Sequence, residues 1–107
     1  MTLLNDYLKD LEPLVNLDCG TANRAGVTRA AEIMKGYFES IGFVCELVDL
    51  GPSVGKGLLC RNKPDADHYD VMMNGHLDTV FSDGTAAERP LRVEGDRAYG
   101  PGCSDCK

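Results

Sequence analysis

Residues 69–80 read Tyr-Asp-Val-Met-Met-Asn-Gly-His-Leu-Asp-Thr-Val, an apolar run followed by a pair of polar side chains. The run itself, residues 69–74, stops at Gly75 and predicts a compact strand. Ligands of open α/β sheets bind beyond the carboxyl ends of strands, so side chains placed there face a crevice. His76 and Asp78 are two residues apart, and extended backbone points both to the same side. This pair predicts either a metal ligand with a carboxylate that orients its ring, or a histidine that only hydrogen-bonds a neighbour.

The sequence before this segment predicts two helices. Apolar residues recur at three- and four-residue steps from Leu3 to Val15, with Thr2 as the N-cap and with Pro13 kinking or ending the helix. Residues 18–26 have loop composition. The helical spacing returns over residues 27–41, and Gly42 follows where a left-handed C-terminal cap belongs.

Strand and turn signals alternate along the rest of the chain. Three further stretches predict turns or loops: the glycine-rich residues 51–57, the polar residues 62–68 and the pair Gly95-Asp96, which is typical of a hairpin. The predicted strands are residues 43–50, 58–61, 91–94 and 97–99. Two helices followed by a series of strands predict an α/β fold, with helices packed on a mixed β-sheet.

Composition and charge exclude several classes of function. The 107 residues are 43% hydrophobic and 26% charged, which is typical of one globular domain or part of one. The net charge is −6 and no Lys/Arg run occurs, so nucleic acid is not an expected partner. No stretch reaches the ~18–20 apolar residues of a membrane span, and the N-terminus does not resemble a secretory signal. We expect a cytoplasmic protein whose five cysteines, an odd number, form no disulfide framework.

A second motif closes the chain. Residues 95–107 read Gly-Asp-Arg-Ala-Tyr-Gly-Pro-Gly-Cys-Ser-Asp-Cys-Lys. Gly100 and Gly102 around Pro101 predict a tight turn, which can present the Asp105 carboxylate at a fixed place. With Gly-His-Leu-Asp-Thr-Val-Phe at residues 75–81 and Asp-Gly-Thr at 83–85, this motif resembles the co-catalytic zinc exopeptidases. That family contains glutamate carboxypeptidases, aminoacylases, acetylornithine deacetylases and succinyl-diaminopimelate desuccinylases. Residues 81–99 look most like the glutamate carboxypeptidase branch.

The resemblance implies a role for three residues. His76 would be a ligand of one zinc ion, Asp78 the catalytic-site carboxylate that holds its imidazole, and Asp105 the bridge between two zinc ions. Cobalt could replace zinc, and the peptide bond after Asp105 would be cis. Two positions depart from the family pattern: Ser82 stands where proline is frequent, and Cys106 puts a thiol beside the metal position.

The family's general base, its remaining metal ligands and its lid or dimerisation domain would lie beyond Lys107. Residues 1–107 are therefore expected to be the N-terminal portion of a metallopeptidase catalytic domain, inactive and weakly zinc-binding alone, and self-associating through exposed faces. The intact enzyme would hydrolyse an amide bond, as a carboxypeptidase releasing a C-terminal amino acid such as glutamate from a small peptide, or as a deacylase of N-acyl amino acids. Two non-enzymatic hypotheses stay open: a zinc-binding module through Cys103 and Cys106, and a folded segment with an interaction role.

Overall fold

The computed structural model describes residues 3–105, which form three helices and two small antiparallel sheets. The helices and strands, in chain order, are α1 Leu3–Val15, α2 Arg24–Ser40, β1 Val44–Val48, β2 Gly57–Arg61, α3 Thr85–Glu88, β3 Arg92–Glu94 and β4 Arg97–Tyr99. Strand β1 pairs only with β2, and β3 only with β4. The predicted mixture of helices and strands is confirmed, whereas the expected single mixed sheet is wrong for these residues.

Helix α1 continues through Pro13 and ends at Val15. A proline two residues before the end removes one backbone donor only from the last turn, where the loss matters least. Leu11, Leu14 and Val15 are buried, so the predicted apolar stripe is the side that packs. Thr2, the predicted N-cap, lies outside the described residues.

Helix α2 begins three residues earlier than the apolar spacing predicts, at Arg24. Its N-cap is Asn23, whose side-chain oxygen accepts a hydrogen bond from the Gly26 amide at 2.9 Å. The predicted end is confirmed: Gly42 lies just beyond the helix at φ 93°, a left-handed conformation that glycine adopts without steric cost.

The ribbon β1–β2 packs against α2. The two strands pair from Val44 opposite Arg61 to Val48 opposite Gly57. Both predicted strands are confirmed: β1 is shorter at both ends, and β2 begins one residue earlier. Because side chains alternate across a strand, one face of the ribbon carries Cys45, Leu47, Leu58 and Cys60. On the other face, an ion pair joins Arg61 to Glu46 at 3.8 Å.

The strand predicted over residues 69–74 is wrong. This segment forms no strand, and Val71, Met72 and Met73 are 75%, 86% and 82% exposed. A run that is apolar on both faces is typical of an interior strand, which needs a neighbour along each edge and cover on each face. No strand within residues 3–105 pairs with this segment, so its apolar side chains remain in solvent.

The hairpin around Gly95-Asp96 is confirmed, with Glu94 paired to Arg97. The four-residue helix α3 was not predicted, because so short an element shows no hydrophobic period. A distant carboxylate stabilises its first turn instead, as described below.

The buried core is small. Its apolar members among the described residues are Leu11, Leu14, Val15, Cys19, Ala30, Ala31 and Ala86. The radius of gyration is 14.9 Å, compared with about 13 Å for a compact domain of this length. None of the helices between residues 3 and 105 is long and apolar enough to cross a membrane.

Candidate active site

The loop after α1 anchors the segment that carries the histidine motif. Gly20 and Thr79 form an isolated parallel bridge. The Thr79 amide donates to the Cys19 carbonyl at 2.8 Å, and the Thr21 amide donates to the Thr79 carbonyl at 3.1 Å. Cys19 and Thr79 are both buried, so the backbone just after Asp78 is held in place.

Two further side chains of this loop bind the segment around residues 83–86. The Asp18 carboxylate accepts hydrogen bonds from the Gly84 amide at 2.9 Å and the Ala86 amide at 3.1 Å, which satisfies free donors at the start of α3. Asn23 donates from its side chain to Asp83 at 3.0 Å. The loop over residues 18–23 is therefore the support on which residues 79–86 rest.

The chain returns to the same region through the turn around Pro101. Pro101 and Gly102 are buried. A Cβ atom on Gly100 would lie 2.4 Å from Val15 Cγ1, so only glycine allows this close contact with the end of α1. The Asp105 amide then donates to the Gly102 carbonyl at 3.0 Å. This turn places Asp105 beside the histidine motif.

The three predicted site residues lie next to one another. His76 lies between two carboxylates: its Nδ1 is 3.3 Å from Asp78 Oδ1, and its Nε2 is 3.3 Å from Asp105 Oδ1. The Asp78 backbone carbonyl is also 2.9 Å from His76 Nδ1. The site is open to solvent, with the His76 side chain 50% exposed and that of Asp105 77% exposed.

A threonine that the sequence analysis did not select completes this arrangement. The Thr21 hydroxyl donates to Asp78 Oδ2 at 2.5 Å, on the oxygen opposite the one that faces His76. Asp78 is thus held from one side by Thr21 and interacts with the imidazole on the other. Only the fold could reveal this contact, since the two residues are 57 positions apart.

The surroundings of His76 and Asp78 shift the pKa values of both side chains. Hydrogen bonding to the Asp78 carbonyl, followed by the Asp105 carboxylate, raises the pKa of His76. The hydrogen bond from Thr21 is the largest of the causes that lower the pKa of Asp78. Because a carbonyl only accepts, the contact at Nδ1 fixes the proton of a neutral His76 there and leaves the Nε2 lone pair directed toward Asp105.

The His76–Asp105 pair fits two ligands of a zinc ion. Imidazole nitrogen and carboxylate oxygen are both zinc ligands, and two such atoms about 2.0–2.1 Å from a tetrahedral ion lie about 3.3–3.4 Å apart. The observed separation of Nε2 and Oδ1 is 3.3 Å. Within residues 3–105, no group of three or more His, Cys, Asp or Glu side chains is placed to hold a metal.

Two predictions at the end of the chain fall partly outside the described residues. Cys106 lies beyond them, and with it the bond predicted to be cis and the second thiol of the alternative zinc module. The Cys103 thiol contacts the Ala98 carbonyl at 3.7 Å. Nearby, an open depression of about 420 Å³ is lined by residues 20–23 and 79–83, but not by the three site residues.

The residues that support the site carry a weak sequence signal. Asn23 is recognisable as an N-cap because it lies directly before the helix. Asp18 and Thr21 have only the composition of a loop, and their partners are 57 to 68 positions away.

Similarity to a known carboxypeptidase agrees with the family resemblance of the two motifs. No family model matches this sequence. The chain is 37% identical over 101 residues to carboxypeptidase G2 of Pseudomonas sp. (strain RS-16), an alignment that covers 94% of this chain. It spans about a quarter, 24%, of the length of that relative. The resemblance to glutamate carboxypeptidases is thereby confirmed, and this chain is a sequence relative of a carboxypeptidase over nearly its whole length.

Proposed function

We propose that this chain supplies part of the active site of a metal-dependent carboxypeptidase, which hydrolyses an amide bond and releases a C-terminal amino acid such as glutamate. The observation that carries the proposal is the position of His76, with Asp78 at Nδ1 and Asp105 beyond Nε2. The similarity to carboxypeptidase G2 favours a carboxypeptidase over an N-acyl amino acid deacylase.

Each residue has a distinct task in this proposal. The Asp78 backbone carbonyl accepts the Nδ1 proton and fixes the tautomer. The Asp78 carboxylate, 3.3 Å from Nδ1, holds the orientation of the ring and raises the basicity of Nε2. Thr21 holds the Asp78 carboxylate in that position. His76 and Asp105 are the two metal ligands that this part of the chain offers. When bound, zinc would polarise the scissile carbonyl and lower the pKa of a water molecule.

The described residues leave such a site incomplete. A catalytic zinc takes three protein ligands and keeps one position open, whereas this segment offers two. We therefore propose that residues 1–107 are the N-terminal portion of a catalytic domain, and that the general base and the remaining ligands follow in a longer chain. This proposal agrees with the fraction of the carboxypeptidase that the chain spans.

The experiment compares the chain alone with a version extended by its downstream coding sequence. Both are assayed with zinc, with cobalt and with a chelator, on dipeptides ending in glutamate and on N-acyl amino acids. We expect metal-dependent release of glutamate by the extended protein only. Absence of metal-dependent hydrolysis of either substrate class would refute the proposal, and hydrolysis confined to N-acyl amino acids would replace the carboxypeptidase by a deacylase.

The chain contains a matched control for the histidine motif. His68 and Asp70 have the same spacing as His76 and Asp78, are exposed, and lie 3.6 Å apart at Nε2 and Oδ1. In the extended protein, we expect Asp78→Ala to reduce kcat by about 10- to 100-fold, because it orients a ligand. Asp70→Ala should leave kcat unchanged. Asp78 is structural if the Asp78→Ala substitution lowers the free energy of unfolding by as much as it raises the activation free energy of hydrolysis.

A further inference from the structure

Two cysteines face each other across the ribbon β1–β2. Cys45 on β1 is the direct partner of Cys60 on β2. Both are free thiols and half-buried. Both lie on the ribbon face that also carries Leu47 and Leu58.

Their positions meet the distance requirement of a disulfide. Directly opposed residues of an antiparallel pair have Cα atoms about 4.5–5.5 Å apart, and disulfides join Cα atoms about 4.4–6.8 Å apart. Opposed Cβ atoms lie about 4.5–5.5 Å apart, so closing the bond requires a small approach of the two strands. Residues 49–56 connect the two strands.

The two thiols already interact. Burial, followed by a hydrogen bond with Cys45, raises the pKa of the Cys60 thiol to about 12. The Glu39 carboxylate of α2 acts in the same direction, and the Lys35 ammonium opposes it. Burial and this hydrogen bond keep Cys60 protonated at neutral pH, so the exchange proposed below begins at Cys45.

We propose that Cys45 and Cys60 form a redox-active dithiol that closes to a disulfide by exchange with a low-molecular-weight disulfide such as glutathione disulfide. The Cys45 thiolate attacks one sulfur of glutathione disulfide, which forms a mixed disulfide and releases one glutathione. Cys60 gives its proton to solvent and attacks Cys45 Sγ, which releases the second glutathione. Two protein thiols are oxidised, and one glutathione disulfide is reduced to two glutathiones.

The bond would cross-link β1 to β2, the longer of the two ribbons within residues 3–105. It closes a loop over residues 45–60 and so restricts the unfolded chain. The oxidised ribbon should open less often, with slower amide exchange in β1 and β2 and a midpoint of thermal unfolding several degrees higher than in the reduced chain.

The test is peptide mapping of the 107-residue chain after incubation with glutathione disulfide and alkylation. Cleavage after Lys35, Lys56 and Arg61 places Cys45 in peptide 36–56 and Cys60 in peptide 57–61. We expect these two peptides to appear linked, lighter by two hydrogen atoms, as the main product of the folded chain. In urea the linkage should spread over the five cysteines.

A matched control moves one thiol along the same face. In the double variant Cys60→Ser, Leu58→Cys, the second thiol is diagonal to Cys45, about 7–8 Å away, beyond the usual reach of a disulfide. This variant should stop at the glutathione adduct. The proposal is overturned if the folded wild-type chain also stops at the adduct, or if it links Cys45 to Cys60 no more often than the chain in urea does. The outcome does not depend on metal binding or on peptidase activity.

Discussion

At the scale of single residues, short polar side chains of one loop assemble the site. Asp18, Thr21 and Asn23 each contact a group in residues 78–86. None of them is a candidate ligand, yet together they hold the backbone on which Asp78 and α3 lie. Side chains this short lose little rotamer freedom when they are ordered, so their hydrogen bonds retain most of their stabilising effect.

The Asp18 carboxylate should be the most sensitive of these contacts. Asp18→Ala leaves the amides of Gly84 and Ala86 without their acceptor, and we expect it to lower the free energy of unfolding by about 1–2 kcal/mol. Urea denaturation followed by circular dichroism measures the loss. Asp65→Ala, in the exposed loop at residues 62–68, is the control and should change stability by less than about 0.5 kcal/mol. Equal effects of both substitutions would mean that Asp18 does not support this loop.

At the scale of elements, one tyrosine links the two long helices. The Tyr37 hydroxyl on α2 donates to the Asp10 carbonyl on α1 at 2.6 Å. Burial, and then the charge of Asp10, raise the pKa of Tyr37 above 10.0. The link therefore holds only while the phenol keeps its proton.

This contact predicts a dependence of stability on alkaline pH. Because the pKa of Tyr37 is higher in the folded than in the unfolded chain, its contribution is complete below about pH 10 and is lost as the pH rises through the folded value. Tyr37→Phe should lower stability by about 0.5–1.5 kcal/mol at neutral pH and remove this part of the alkaline decline. Urea denaturation from about pH 8 to 11 tests both. If the stability of the Tyr37→Phe variant falls equally at alkaline pH, groups other than Tyr37 cause the decline.

At the scale of the whole molecule, the chain has a small core and a large exposed apolar surface. The apolar run at residues 71–73 lies in solvent, as does Val80 at 88% exposure. Exposed apolar patches of this kind favour association. We expect the chain to self-associate through residues 69–74.

Replacing part of this run should weaken the association. Met72→Ser combined with Met73→Ser removes two exposed apolar side chains, and sedimentation velocity over a concentration series should show a smaller oligomer fraction. Leu3→Ser with Leu4→Ser is the matched control, because these residues are also exposed but lie on α1. If the α1 variant reduces association equally, the contact is not specific to residues 69–74.

Zinc binding by the 107-residue chain tests the completeness of the site. With two ligands from the described residues, we expect weak binding in calorimetric titration, which His76→Ala abolishes. A variant with Cys103→Ser and Cys106→Ser separates this site from capture by the two thiols. Tight binding that survives the serine substitutions would contradict an incomplete site, and tight binding that requires both thiols would support the zinc-module hypothesis.

Local patterns in the sequence determined both long helices and the two pairs of antiparallel strands, and the family resemblance of two motifs pointed to His76, Asp78 and Asp105. The helices and strands depend on near neighbours, through a helical period or a turn residue. The contact of Asp105 with His76 joins two separate motifs and depends on the tertiary structure. The tertiary structure alone decided the fate of residues 69–74, which are apolar enough for a strand but have no partner among residues 3–105. It also decided the start of α3 and the contact of Thr21 with Asp78, because hydrogen bonds between residues 57 to 68 positions apart leave no periodic trace in a sequence.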